Sequence, residues 1–405
     1  MTSRCRYNHE AVSGISKGGP QGGEKRTSMN FDFSEEERNF HLELESTLAE
    51  FIAQESLGEG DSGINGEVVR KCLRLLAGNG YLNLGLENSA AAQGGSLNLM
   101  ACMEVLAAAS QSLYLAVEMS TRMFGRIIRV WGTREQKTQL LPLLEAGEIL
   151  GAVALSEAAM NVHNDPLETE GVEKGHNIQV SGVKNFVVNG PAANWIAVVG
   201  KMQEQLAVFL VERGSQGLQV HEPIATLGYE NVAISGLRLE RCSVLPEKII
   251  LPPGEAQVLE TLRLWENQIL IGASLGMMKS AFESAKTFAN THRTGGKPII
   301  AYQEVAFKLA EMLTLYQTSR LLAFRAAWSS DISRTQGGSL TLCAKVFCTE
   351  SAEKVASMAL QVLSGTGYRT GNKAECAYRC AKYAQIAGTS TEIARVKLGD
   401  EALGY

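Results

Sequence analysis

From Ser34 to about Ala146 the apolar residues recur at helical spacing, as in FHLELESTLAEFIA, VVRKCLRLLA and LMACMEVLAAASQSLYLAVEM, with glycine-bearing breaks at Gly78 to Gly80 and at Gly94-Gly95. One apolar stripe per segment predicts a helical domain. At Gly151 the texture changes to short β-rich runs punctuated by Gly, Asn and Pro: GAVALSE, NIQVSGVKNFVVN, NWIAVVGK, QLAVFLVE, GLQVHEP and NVAISGLRLERCSV. Closely spaced strands with no helix between them predict an antiparallel barrel or sandwich of about 100 residues. After Pro252-Pro253-Gly254 the helical period returns in four long segments, 256–291, 301–330, 336–364 and 373–398, which pack most simply as an antiparallel four-helix bundle. The pattern therefore predicts an α+β chain with an N-terminal helical domain (29–150), a middle β domain (151–253) and a C-terminal four-helix bundle (254–405). Residues 1–28 read as a disordered leader, rich in Gly, Lys, Arg and Ser, and Met29 is a candidate natural start.

Composition agrees with a globular protein: 405 residues, 45% hydrophobic and 20% charged, with mean hydropathy near zero. The length corresponds to two or three domains. A net charge of -5 leaves no basic footprint, which argues against nucleic acid as a partner. No apolar run reaches the roughly 18 residues of a spanning helix. The leader lacks an apolar core and carries Glu10 and Glu24, so it is neither a secretory signal nor a good transit peptide. Eight scattered cysteines with no CxxC pair suit a reducing cytoplasm. Cys376 and Cys380 fall one helical turn apart but have no companion ligands, so buried free thiols are expected there rather than a metal site. HExxH, GxSxG and strand-GxGxxG-helix patterns are missing, which removes support for zinc hydrolysis, triad chemistry and a Rossmann site. Gly365-Thr366-Gly367 follows a helical segment and reads as a C-cap turn.

The strings FSEEER, WGTREQK, LPLLEAGE, ALSEA, GVKNFVVNG, LRLERCSVLPE, QVLSGTGY and YRCAKYAQIAGTSTEIAR occur in this order over most of residues 29–405. Singly each is weak; together, and with the α, β, α order of domains, the chain resembles the acyl-CoA dehydrogenase family. The resemblance implies a FAD-dependent oxidoreductase of fatty acid metabolism acting on an acyl-CoA. A carboxylate would remove the α-proton of the thioester while the β-hydrogen leaves as hydride to flavin N5. Electrons would then pass to an electron-transferring flavoprotein. A cytoplasmic homotetramer or homodimer is implied, or a heteromer with a related subunit.

In the majority of that family the base is the Glu of a Tyr-Glu-Gly-Thr-Ser string, nine residues after the Arg of an Arg-Asp-Ala-Lys motif. The motif here is Arg379-Cys380-Ala381-Lys382, and the count lands on Ala387 and Gly388. Neither can accept a proton, although a backbone N–H at Gly388 could still polarise the thioester oxygen. The isovaleryl-CoA and long-chain branch carries its Glu instead on the first helix of the bundle, ten residues before the last Gly of a Gly-Gly-Pro-Leu-Gly string. That string is similar to Gly272-Ala273-Ser274-Leu275-Gly276, and Glu266 stands in the base position. Its neighbours Leu262, Trp265, Ile269 and Leu270 place it beside the apolar stripe, where a carboxylate needs a reason to be. The Arg that follows the branch's Glu is Asn267 here; Arg263, one turn earlier, is the candidate to replace it. Small Ala387 and Gly388 are expected to leave room for a branched or cyclic acyl group, unless Trp265 or Tyr368 fills it.

For the cofactor, the resemblance places Leu155 and Ser156 at the flavin pyrimidine edge, and Phe186 and Val188 where the family has a Trp over the ring and a Thr at N5. Arg293, Gln303, Gln361 and Gly365 match residues that reach the adenine half of FAD from a neighbouring subunit. The local string Arg293-Thr294-Gly295-Gly296 is one residue short of the family motif and lacks its Phe. Ser390 and Glu392 match residues near the ribose and pyrophosphate. The family's Ala-Gly-Ser-Asp loop is replaced by Ala159-Met160-Asn161-Val162-His163-Asn164-Asp165. These departures keep two further readings open: a catalytically silent subunit that pairs with an active relative, and an oxidase or eliminating enzyme on the same fold.

Overall fold

Amphipathic helices need ends that satisfy their orphan N–H groups, and the first described helix, α1 (Glu35–Gln54), begins with a capping box of Ser34 and Glu37 and buries Leu44, Leu48 and Phe51. A computed structural model of the chain describes residues 32–58, 60–86, 95–160 and 166–404. The leader, Met29 and the 161–165 part of the unusual loop lie outside the described residues. Phe33–Tyr405 form one contact unit. The N-terminal helices continue as α2 (Gly66–Asn79), α3 (Gly95–Ala109), α4 (Gln111–Glu118), a π-type stretch over Met119–Gly125, α5 (Arg126–Trp131) and α6 (Arg134–Glu145).

The middle strands are β1 (Gly151–Ala154), β2 (Glu170–Lys174), β3 (Asn177–Val188), β4 (Trp195–Met202), β5 (Gln205–Glu212), β6 (Leu218–Val220), β7 (Ile234–Val244) and β8 (Ile249–Ile250). They form one sheet in the order β6-β7-β3-β2-β4-β5-β8, with β1 on β4. Six of these strands share an internal core around Phe209, Val180 and Leu237, so the sheet closes over its own side chains. The sheet is mixed rather than wholly antiparallel. β1 and β2 divide one edge of β4 and both run parallel to it. The 155–169 connection and the β2–β3 hairpin provide the crossover that parallel pairing requires. A register shift between Lys184 and Val187 puts Phe186 at φ +53, a bulge that re-aims its side chain.

The C-terminal helices are α7 (Glu255–Thr291), α8 (Gln303–Ile332), α9 (Arg334–Leu363), α10 (Lys373–Ile386) and α11 (Thr391–Leu403), with a hairpin of β9 (Arg293–Thr294) and β10 (Lys297–Pro298) between α7 and α8. α7 approaches α3 so closely that a Cβ on Gly276 would fall 2.4 Å from Cβ of Ala107. The fourth segment of the bundle, read as continuous over 373–398, is instead two helices separated at 387–390. The break is enforced by Gly388 at φ +65 and by Ser390, which caps the new helix by accepting from Ile393 N at 3.3 Å. Cys376 and Cys380 are buried on α10 with Sγ atoms 4.0 Å apart.

Candidate active site

Glu266 lies three turns into α7, half-buried. The loop between α10 and α11 folds against it, and the Gly388 N–H donates to its carboxylate. Burial raises the pKa of Glu266 above the ordinary carboxylate value, against the opposing pull of the Arg263 and Lys345 charges and of that N–H. The two residues expected to meet substrate are both engaged with this loop. Arg263 Nη1 donates to the Gly388 carbonyl at 3.1 Å. Asn267 holds Thr389 from both sides, donating to its Oγ1 at 3.0 Å and accepting from its N–H at 2.9 Å. A cleft of about 500 Å³ opens on the Arg263 and Asn267 side of α7, walled also by Thr389, Leu342 and Lys397.

One side chain that sequence reasoning missed completes the site. Lys345 on α9 is fully buried and donates to the carbonyls of Ala384 and of Ala387, the latter at 3.1 Å. It thereby caps the end of α10 at the residue before Gly388. Its signal was available, since a lysine in an apolar stretch, LCAKVFC, is costly unless partnered.

The expectation that Gly388 opens space for a large acyl group is corrected by the packing. A Cβ on Gly388 would lie 2.6 Å from Asn267 Oδ1 and 3.2 Å from Leu270 Cδ1, so the volume there is already occupied. Ala387 is half-buried beside it. Trp265 and Tyr368 do not fill that volume. The Trp265 ring packs on Trp131 with centroids 5.2 Å apart, and Tyr368 is 94% exposed.

Three of the residues matched to the flavin edge come together where β1 ends against β3. Asn185 N donates to Ser156 O at 2.9 Å, and Lys184 Nζ donates to Leu155 O at 3.0 Å. Lys184 also forms a buried ion pair with Glu157, whose carboxylate accepts from Thr169 N at 3.2 Å. Burial pulls Lys184 down to about 8, against the raising effect of Glu157. On this frame Ser156 is exposed and Phe186 is 64% exposed, a hydroxyl beside an aromatic face, which fits the edge and plane of a flat ring. Val188 is not part of that face. At 2% exposed it packs into the core and has no donor to offer. Arg293, Gln303, Gln361 and Gly365 are all exposed, on the β9–β10 hairpin, the start of α8 and the end of α9. Arg293 Nη2 closes its own hairpin on Gly296 O at 2.7 Å, and no hydrogen bond among the described residues joins these four to Phe186 or Glu266. Ser390 and Glu392 stand at the first turn of α11, beside the 387–390 loop.

Sequence models of the acyl-CoA dehydrogenase N-terminal, middle and C-terminal domains match residues 34–148, 152–242 and 257–403. The chain belongs to the acyl-CoA dehydrogenase family. Among its relatives, an acyl-CoA dehydrogenase of Bacillus subtilis is 30% identical over 283 residues, 68% of this chain and 74% of that protein. A benzylmalonyl-CoA dehydrogenase of Aromatoleum aromaticum is 26% identical over 383 residues, 92% of this chain and 99% of the relative. The fold is also that of a glutaryl-CoA dehydrogenase from Mycobacterium smegmatis in complex with FADH2, with a TM-score of 0.83 at 18% identity, covering 92% of this chain and 96% of that one. The family is one of oxidoreductases, and no described helix is long and apolar enough to cross a membrane.

Lys184→Met leaves Glu157 charged and buried without its partner, and should cost about 3–5 kcal/mol in urea unfolding; a loss below about 1 kcal/mol would show that the pair does not hold the β1 end. Gly388→Ala should cost roughly 1–2 kcal/mol from the left-handed backbone alone, and more from the clash with Asn267. Gly78→Ala is the control, since no atom stands within 4 Å of a Cβ there, and should not destabilise.

Proposed function

We propose that this chain removes the α-proton of an acyl-CoA thioester with Glu266 and so catalyses its α,β-dehydrogenation, on a branched or cyclic acyl group. The observation that carries the reading is the Glu266 carboxylate itself, half-buried, raised by burial and held by the Gly388 N–H. A base that must take a proton and later release it works best when its pKa approaches the working pH. Position 388 has no space for a competing carboxylate, which supports the assignment. Arg263 and Asn267 fix the loop, and Ala387 keeps the approach to Glu266 free of bulk. The resemblance offers the Gly388 N–H to a thioester oxygen, but that N–H faces Glu266 here.

FAD, when bound, supplies the hydride acceptor. Leu155, Ser156 and Phe186 would hold its ring, Ser390 and Glu392 its ribose and pyrophosphate, and Arg293, Gln303, Gln361 and Gly365 of a second copy its adenine half. Val188, packed in the core, offers it no hydrogen bond. A cytoplasmic homotetramer or homodimer passing electrons to an electron-transferring flavoprotein completes the reading. The preference for a branched or ring-bearing acyl group draws support from the relative named benzylmalonyl-CoA dehydrogenase, matched over nearly its whole length.

A second reading, a silent subunit of a heteromer, is favoured by the burial of Val188 and the shortened Arg293 hairpin. Flavin counting separates the two: one FAD per chain in a purified homo-oligomer, bleached by isovaleryl-CoA or benzylmalonyl-CoA, supports the enzyme. Protein that stays colourless after incubation with FAD supports the silent subunit.

Glu266→Gln keeps the shape of the side chain but cannot accept a proton. Flavin reduction by the better of those two thioesters should fall by at least ~10²–10⁴-fold with FAD content unchanged, and reduction near the wild-type rate would remove Glu266 from the role. The pH dependence has a definite sign. The base acts deprotonated and burial raises its pKa, so the reduction rate should climb with pH through a limb above the ordinary Glu value of about 4.3. A stopped-flow profile whose limb lies at or below that value would contradict the assignment.

A further inference from the structure

Ala387 C=O and Gly388 N–H belong to one peptide group. Lys345 Nζ donates to its oxygen at 3.1 Å, and its N–H faces the Glu266 carboxylate, whose Cγ stands 3.5 Å from the Cβ position of Gly388. The planarity of the peptide fixes the N–H once the oxygen is held. A cation on the carbonyl also polarises the amide and strengthens the N–H as a donor. We propose that Lys345 is a positioning residue for the proton transfer, acting on Glu266 through the 387–388 peptide. The proposal rests on the reading of Glu266 as base.

The surroundings leave this ammonium no simpler partner. Lys345 is buried from solvent, donates to the Ala384 and Ala387 carbonyls, and forms no ion pair within 4 Å among the described residues. The charged and titratable groups that face the pair are Arg263 and Glu266 on α7, Tyr383 on α10 and Glu392 on α11. Burial pulls Lys345 down to about 8, with Glu266 and Glu392 acting to raise it. In its protonated form its positive charge favours the carboxylate form of Glu266.

The sign of its removal follows. Without the charge and without a held peptide, Glu266 binds its proton more tightly and its titration moves to higher pH. A move of about one pKa unit makes the base roughly tenfold less available below its limb. The limb should shift while a merely structural loss would lower the rate equally at every pH.

The test uses the full-length holoprotein labelled with ¹³C-glutamate, its Glu266 carboxyl band identified in infrared spectra by its loss in Glu266→Gln. Three variants are titrated. Lys345→Gln keeps a donor to the carbonyls but no charge, Lys345→Met keeps neither, and Lys345→Arg keeps both. Gln should move the Glu266 titration upward by about one unit, Met by at least as much, and Arg should return it toward wild type. The limb of flavin reduction by benzylmalonyl-CoA should shift in parallel. An unmoved Glu266 titration in folded Lys345→Gln would overturn the proposal, as would an Arg variant that behaves like Met. Failure of the underlying reading looks different: Glu266→Gln would then reduce flavin normally whatever the Lys345 variants do.

Discussion

The arrangement of the C-terminal helices turns on one electrostatic constraint: a carboxylate on α7 that water cannot fully solvate must be satisfied by the protein. Its partner is a backbone N–H, and a backbone N–H is free only where a helix has been interrupted. The interruption at 387–390 supplies it. Each helix in contact then stabilises the break in its own way. α9 caps the end of α10 with Lys345, α7 takes the Gly388 carbonyl with Arg263 and Thr389 with Asn267, and Ser390 restarts the chain as α11. Three helices are thus committed to holding four residues of irregular backbone.

The same device recurs at the end of β1. Lys184 is a second buried lysine whose ammonium holds a carbonyl at the end of an element, here Leu155 after β1. It differs in having a carboxylate partner, Glu157, which in turn accepts from the backbone around Thr169. The ion pair keeps charge at Lys184 locally balanced, so this corner of the sheet is a rigid frame for Ser156 and Phe186. Lys345 has no such partner within bonding distance, and its charge remains available to act on Glu266. Two lysines with similar burial thus take different electrostatic parts because of what stands opposite them.

Periodicity read the architecture well, because amphipathic helices and alternating strands are local statements about which side chains face the core. It extended the last helix through 387–390, since Ala, Gly and Thr do not interrupt an apolar period by themselves; the positive φ at Gly388 and the capping by Ser390 and Lys345 are tertiary facts. It read the sheet as antiparallel, since nothing in a strand's own sequence records that β1 and β2 share one edge of β4. The place of Glu266 beside an apolar stripe was legible, and its partner Gly388 was singled out for a backbone donor. Lys345 was missed because its significance lies in two carbonyls about 40 residues away in sequence. Val188 was matched to the cofactor by its string alone, and the bulge at Phe186 separates it from that face.

The packing at Gly388 also explains why the two positions known for a base in this family exclude each other here. A side chain at 388 would have to displace Asn267 Oδ1, which lies 2.6 Å from the Cβ site. Asn267 in turn is fixed by a two-way hydrogen bond to Thr389, and it is buried. Moving it would leave amide and hydroxyl groups unpaired in a dry environment, at roughly 1–3 kcal/mol for each group stranded. A carboxylate at 388 would also meet Glu266, whose Cγ stands 3.5 Å from the same Cβ site, and two carboxylates that close cannot both be charged without a large shift in one. Neutral packing by glycine at 388 is therefore the condition under which Glu266 keeps a single carboxylate free of a like-charged neighbour, and Asn267 belongs to the same solution: its amide is short enough to clamp Thr389 from α7, while Arg263 one turn earlier takes the Gly388 carbonyl.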